Sequence, residues 1–239
     1  MILEETSLER LRVSSLDPTE ITPQIISLME RNPRFCPHFH VSLQSPHSRI
    51  LKLMKRKYGF EEVKACLDRI AQISGPAGGV FVGMDVITGF PGETEEEFEW
   101  GVQTLSALYW SRLHVFPYSE RTGTPATRLP GSVPQHIRVQ RSRRLNQLSL
   151  ERMTSYYRNI LNPASSETLV LDSVLLERKG EGSWVAGYTP NYLRVLIPAE
   201  SAVERNQMIS VQPLDIMVDS KAQDVAFVAR ALNSSIDEL

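Results

Sequence analysis

The sequence predicts an α/β fold built on a parallel sheet, followed by a small antiparallel β-barrel. Three observations predict it. Apolar strand-like runs alternate with amphipathic helical runs as far as about residue 160, the pattern of βαβ units joined by right-handed crossovers. The strand-like runs end in polar or glycine clusters, Ser14-Ser15, Gln44-Ser45, Gly89 to Glu93 and Pro117-Tyr118-Ser119, and the C-terminal edge of parallel strands is where such folds bind ligands. After the turn signal Asn162-Pro163 the helical period gives way to short β-rich runs separated by turn residues, as in small barrels of the OB type. The expected organisation is residues 1–133 as an incomplete parallel (β/α) barrel, 134–162 as an Arg-rich connecting helix and 163–239 as the second barrel.

Each element has its own signal. Leu11 to Leu16 predicts a short strand, and Thr22 to Glu30 a helix with Pro23 at its first position, where the missing N–H costs nothing. Phe39 to Gln44 predicts the second strand, and Ser48 to Tyr58 and Phe60 to Ile73 two helices broken near Gly59. Val80 to Thr88 predicts the third strand and Arg112 to Phe116 the fourth, with a helix from Thr94 to Leu108 between them. Thr94 and Glu97 have capping-box spacing for that helix. Four such units are too few to close a barrel. Five β-rich runs follow the Arg-rich helix, at Thr168 to Leu176, Ser183 to Gly187, Tyr192 to Ile197, Met208 to Gln212 and Val225 to Ala229.

Composition narrows the function classes. The 239 residues are 41% hydrophobic and 23% charged with a net charge of −2, ordinary for a globular chain with real cores. No apolar run approaches a membrane span and the N-terminus lacks the basic start of a signal peptide, so no membrane partner and a cytoplasmic location are expected. The two cysteines, Cys36 and Cys66, are too far apart for a CxxC motif, and no metal site is expected from them. Charge is uneven. Residues 1–162 hold 20 Lys/Arg and 17 Asp/Glu, whereas residues 163–239 hold 6 and 11. Pro134 to Ile160 is locally basic, with Arg138, Arg141, Arg143, Arg144, Arg152 and Arg158 against Glu151.

The richest stretch runs from Gly83 to Thr94: an apolar strand, a Gly-Phe-Pro-Gly turn and a capped helix. Glycines there let backbone N–H groups approach a ligand closely. His38 and His40 share one face of a predicted strand but lack companions for a full metal set, so they are expected to line a polar pocket. The basic face Lys52, Lys55, Arg56 and Lys57 is an ordinary solvated surface, or brings Arg56 or Lys57 to an anion. In His114-Val-Phe-Pro-Tyr-Ser-Glu-Arg-Thr-Gly-Thr-Pro-Ala126, Phe116 and Tyr118 offer flat surfaces to a base, or fill the core.

Four blocks carry a resemblance. They are Cys36-Pro-His-Phe-His-Val-Ser-Leu-Gln-Ser45, Met54-Lys-Arg-Lys-Tyr58, Asp85-Val-Ile-Thr-Gly-Phe-Pro-Gly-Glu-Thr94 and the His114 to Ala126 block. In this order the chain resembles the radical-SAM methylthiotransferases, and Gly187-Tyr-Thr-Pro-Asn-Tyr-Leu-Arg-Val195 resembles their RNA-binding TRAM domain. Within the family it is most similar to the branch that adds a methylthio group to threonylcarbamoyladenosine beside the tRNA anticodon. Related branches act on isopentenyladenosine or on a ribosomal protein. The resemblance implies S-adenosylmethionine (SAM) as cofactor, lined by Ser14, Ser15, Gln44, Ser45, Gly89, Gly92 and Glu93, with Phe116, Pro117 and Tyr118 framing its adenine. It implies tRNA as partner, with Arg138, Arg141 and Arg144 meeting phosphate and Tyr188, Asn191, Tyr192 and Arg194 contacting RNA. In the complete family enzyme a [4Fe–4S] cluster on a CxxxCxxC loop generates a 5′-deoxyadenosyl radical from SAM, and the sequence carries no such loop. By resemblance it starts near the third barrel strand, so a missing N-terminal half and inactivity in isolation are expected. A non-catalytic RNA-binding or assembly protein is the alternative. Pro46-His47 departs from the family's usual small residues after Gln-Ser.

Overall fold

The computed structural model describes residues 2–73, 78–162, 168–179, 183–199, 201 and 203–232. A short helix α1 (Ile2–Glu5) precedes α2 (Pro23–Arg31), β1 (His38–Gln44), α3 (Ser48–Leu53), α4 (Phe60–Ile70), β2 (Phe81–Thr88), α5 (Glu95–Ala107), β3 (Arg112–Pro117) and the 27-residue α6 (Gln135–Leu161). Five strands follow: β4 (Leu171–Lys179), β5 (Trp184–Tyr188), β6 (Arg194–Pro198), β7 (Met208–Asp219) and β8 (Asp224–Leu232). The expected second-barrel start at residue 163 lies outside the described residues.

β1, β2 and β3 form a parallel sheet in that order, which bears out the α/β reading. The expected strand at Leu11 to Leu16 does not form. Leu11 and Leu16 make isolated parallel bridges to Phe35 and Val41, while Ser15 between them has φ +61°. A left-handed residue takes the chain off the ladder, so the segment bridges β1 only at Val41 and the chain before β1 at Phe35.

Strand alternation gives the sheet two unlike faces. Phe39, Val41, Leu43, Val82, Met84, Val86 and Leu113 point to the helices and are buried. His38, His40 and Gln44, then Phe81 and Asp85, then Arg112, His114 and Phe116 alternate with them on the opposite face. Helix α5 starts as its capping box requires, with the Glu97 N–H bonded to Thr94 Oγ1 at 3.2 Å and the Thr94 N–H to the Glu97 carboxylate at 3.0 Å.

The five later strands close into a barrel, β4-β5-β6-β8-β7, with β7 returning to β4. One pairing corrects the sequence expectation of an antiparallel barrel: β6 and β8 run parallel, Val195 opposite Phe227 and Leu196 opposite Val228. The sheet is therefore mixed. Its core is Val174, Leu176, Leu193, Val195, Ile197, Val211, Val225 and Phe227.

Candidate functional site

The polar face of the sheet borders two hollows. The upper one lies at the C-terminal ends of the strands, a cleft of about 490 Å³ lined by Gln44, Asp85, Ile87, Phe90, Phe116, Pro117, Tyr118, Ser119, Arg121, Thr124 and Ala126. Gln44 ends β1 with φ +65°, and Phe116 and Pro117 end β3. Phe116 is 52% exposed, an aromatic ring that core packing does not account for. Tyr118 packs edge-on to Phe90 at 5.2 Å and its buried hydroxyl has no partner among the described residues. An apolar-walled cleft with a few convergent polar groups is the usual form of a small-molecule site.

The lower hollow lies between the sheet and the second barrel. Its volume is about 320 Å³, and its lining includes Arg12, Ser14, His38, His40, Phe81, Arg112, His114, Tyr188, Tyr192, Arg194 and Asp224. His40 stacks on His114 at 4.9 Å between centroids, and its Nε2 lies 2.7 Å from Asp85 Oδ1. Asp85 lines the upper cleft and His40 the lower, so this pair divides the two. Burial, and next the Arg12 charge, hold His38 down at about 3. Burial, and next Arg112, hold His114 at about 4. Both are neutral at pH 7.

The remaining predicted positions fall as follows. Ser14 lines the lower hollow and not the cleft of Gln44. Ser15 is exposed, and Ser45 is buried beside Glu93 in a small void under α5. Gly89 is pressed against α6: a Cβ there would meet Arg138 Cγ at 2.4 Å, and φ is +70°. Gly92 donates to the Gly131 carbonyl at 2.7 Å. Glu93 accepts from Gly89 N at 2.7 Å and from Arg141 Nη1 at 2.6 Å, with both side chains less than 10% exposed. Burial pushes its carboxyl up, against the pull of the Gly89 N–H and Arg141.

The three arginines of α6 expected to meet phosphate, Arg138, Arg141 and Arg144, all meet carboxylates. Arg141 holds Glu93 and Glu95, Arg144 holds Glu99, and Arg138 holds Glu120 at 2.7 Å. Arg138 also donates to the Tyr118 carbonyl at 3.0 Å and the Val133 carbonyl at 2.6 Å, which fixes one wall of the upper cleft. Of the barrel positions, Asn191 is buried and donates to the Gly79 carbonyl at 3.1 Å. Tyr188 and Tyr192 stack at 4.6 Å and, with Arg194, face the lower hollow. Sequence reasoning missed Asp85, Phe90, Arg12, Arg112 and Asp224 as lining residues. The alternation that put His38 and His40 on one face also puts Asp85 and Arg112 on it, and was the available signal.

Residues 4–104 match the Radical SAM superfamily. The threonylcarbamoyladenosine tRNA methylthiotransferase MtaB of Bacillus subtilis is 36% identical over 192 residues, 79% of this chain and 40% of its own length. MtaB of Rickettsia prowazekii is 40% identical over 151 residues, 63% and 35% of the two chains. The tRNA-2-methylthio-N(6)-dimethylallyladenosine synthase of a Mycobacterium species (strain MCS) is 39% identical over 141 residues, 59% and 26%. Among solved structures, coproporphyrinogen III oxidase (HemN) of Escherichia coli, a radical SAM enzyme, matches 62% of this chain and 32% of its own with a TM-score of 0.46 at 21% identity. The resemblance to the radical-SAM methylthiotransferases is borne out by the family match and these relatives. The chain spans 26% to 40% of the length of the three curated relatives named.

Proposed function

We propose that this sequence corresponds to the C-terminal part of a tRNA methylthiotransferase acting on threonylcarbamoyladenosine, with the upper cleft as its SAM site. The observation that carries the reading is the cleft itself: Gln44, Phe116, Pro117 and Tyr118, drawn from the C-terminal ends of separate parallel elements, meet around one hollow. The relatives' named activity on threonylcarbamoyladenosine or dimethylallyladenosine in tRNA supports the substrate class.

The residues of the cleft fit SAM. The exposed face of Phe116 and the ring of Tyr118 suit an adenine, backbone groups beside Pro117 suit its hydrogen-bonding edge, and the unpartnered Tyr118 hydroxyl and Gln44 amide suit ribose or amino-acid atoms. Arg138 is a positioning residue, since it reaches the cleft through Tyr118, holding its carbonyl and lying 5.1 Å from the centroid of its ring. Gly89, Gly92 and Glu93 shape the turn from beneath and Arg141 locks it.

The cluster does not fit. A [4Fe–4S] cluster takes grouped thiolates, whereas Cys36 and Cys66 are both buried free thiols whose pKa burial raises. Among the described residues no group of three His, Cys, Asp or Glu could hold a metal. These residues supply no cluster, and the 239-residue chain is proposed to bind without turning over.

For tRNA, the α6 arginines contribute unequally in this reading. Arg138 and Arg141 are buried on their carboxylates, and of these three positions Arg144 is the one a phosphate reaches, by displacing the exposed Glu99. Equilibrium dialysis of labelled SAM tests the cleft. Phe116→Ala is expected to weaken binding about tenfold, while Tyr192→Ala, in the lower hollow, leaves it unchanged. Equal affinity in wild type and Phe116→Ala removes the assignment.

A further inference from the structure

The lower hollow holds more positive charge than its own residues neutralise. Arg12, Arg112 and Arg194 line it and Asp224 is the one carboxylate among the lining residues. Both oxygens of Asp224 are committed, Oδ1 to Arg112 Nη1 at 3.0 Å and Oδ2 to Arg194 Nη1 at 2.7 Å. Arg12 has no carboxylate partner among the described residues, and its guanidinium lies 4.1 Å from the centroid of the Tyr192 ring. The three histidines there do not offset this charge, and His38 and His114 are held neutral.

Two buried nitrogens on residues that line the hollow, one from the sheet and one from the second barrel, are unmatched among the described residues. His38 is only 3% exposed and its Nδ1 has no hydrogen-bond partner among the described residues, and neither has Arg194 Nε. A buried donor without an acceptor is costly, and more so when it is charged. Such groups persist where something outside the chain satisfies them. An acceptor carrying negative charge answers both the unmatched nitrogens and the surplus charge.

We propose that the lower hollow binds a small oxyanion, a carboxylate or phosphate group held by Arg12, Arg194 and His38. The stacked Tyr188 and Tyr192 rings, 15° apart, form a flat wall beside it, so a planar group attached to the oxyanion has a surface to lie on. His38 accepts its place in the ligand shell as a neutral donor, with the proton on Nδ1. The site stands independently of SAM binding in the upper cleft, because the His40–Asp85 pair separates the two.

The test titrates inorganic phosphate and malonate into the full chain, against sodium chloride at equal ionic strength. Thermal unfolding and the ¹⁵N imidazole resonances of His38 and His114 are the readouts. The expected result is a saturable rise in unfolding temperature and a shift of the His38 resonances with phosphate or malonate and none with chloride. The stronger of the two anions separates phosphate from carboxylate chemistry. Arg12→Ala is expected to weaken binding about tenfold or more without changing the unfolding temperature of the anion-free chain. Arg12→Gln, which keeps the stem over Tyr192, is expected to do the same, and decides the matter if the alanine variant is destabilised. Anion effects no greater than those of chloride, or wild-type affinity in Arg12→Gln, overturn the site.

Discussion

The two hollows share one sheet face and differ in almost every other property. The upper cleft is walled by Phe90, Phe116 and Tyr118 and opens beyond the strand ends. The lower is walled by three arginines, three histidines and two stacked tyrosines, and the second barrel forms its far side. The difference lies in what covers the sheet. Where loops cover it, apolar side chains and backbone groups shape the hollow. Where a folded barrel covers it, charged side chains from both sides must be matched in partial burial, and Arg112, Arg194 and Asp224 are matched only in part. A parallel sheet can thus present a cofactor-shaped cleft and an ion-shaped one along the same strands.

Arg141→Ala should separate the hollows most sharply. It leaves Glu93 buried with only the Gly89 N–H, a loss of about 3–5 kcal/mol in urea unfolding. SAM binding should fail in this variant while the phosphate response of the lower hollow survives. If both are lost together, the hollows are not independent. Asp224→Asn acts on the other side. It removes the shared partner of Arg112 and Arg194 and should cost about 2 kcal/mol, yet raise phosphate affinity, because Arg112 becomes available and Arg194 no longer divides its charge with Asp224.

The third expectation concerns pH. His38 is held at about 3 in the folded chain against a usual 6.5. Between those values the unfolded chain binds a proton that the folded chain does not, so stability falls as pH falls below about 6.5. The slope from His38 approaches about 1.4 kcal/mol per pH unit, with a smaller share from the partly solvated His114. His38→Gln should flatten the acid limb of a stability–pH profile, and an unchanged slope would show that His38 is solvated. The smallest effect is expected at Arg144→Ala. Its pair with Glu99 is exposed on both sides, so the loss should stay below about 1 kcal/mol, while any tRNA binding loses some of its salt dependence.

Much of this was readable from the sequence, for identifiable reasons. The β2–α5 unit announced itself through a period-two apolar run, a glycine turn and a Thr94–Glu97 capping box, all local signals. Of the four strand-end clusters only Gln44 and Pro117-Tyr118-Ser119 line the upper cleft; a shared C-terminal edge is legible in the sequence, but which side of the turn each residue faces is not. Leu11 to Leu16 was misread because its apolar alternation is that of a strand, while Ser15 adopts a conformation that no composition rule assigns to serine. The parallel pairing of β6 with β8 is a long-range choice with no local mark. The spacing of Arg138, Arg141 and Arg144 keeps them near one face of a helix, but spacing alone does not say which way a face points. Two clues to the direction were present: the buried stripe of Leu145, Ser149 and Met153 runs back through Arg138 and Arg141, and the first turns of α5 carry Glu95 and Glu99 to receive them.

Helix α6 has a consequence for how the chain comes apart. At 1.5 Å per residue its 27 residues extend about 40 Å. Leu145 belongs to the core beneath the sheet, while Leu150, Met153, Tyr157 and Ile160 belong to the core of the barrel. One rod is thus a structural member of two cores. Melting either core frees half of the helix, and a half-helix of a dozen residues is marginal in water. Heating should therefore produce a single cooperative transition with equal calorimetric and van't Hoff enthalpies, and not the two steps expected of beads on a string.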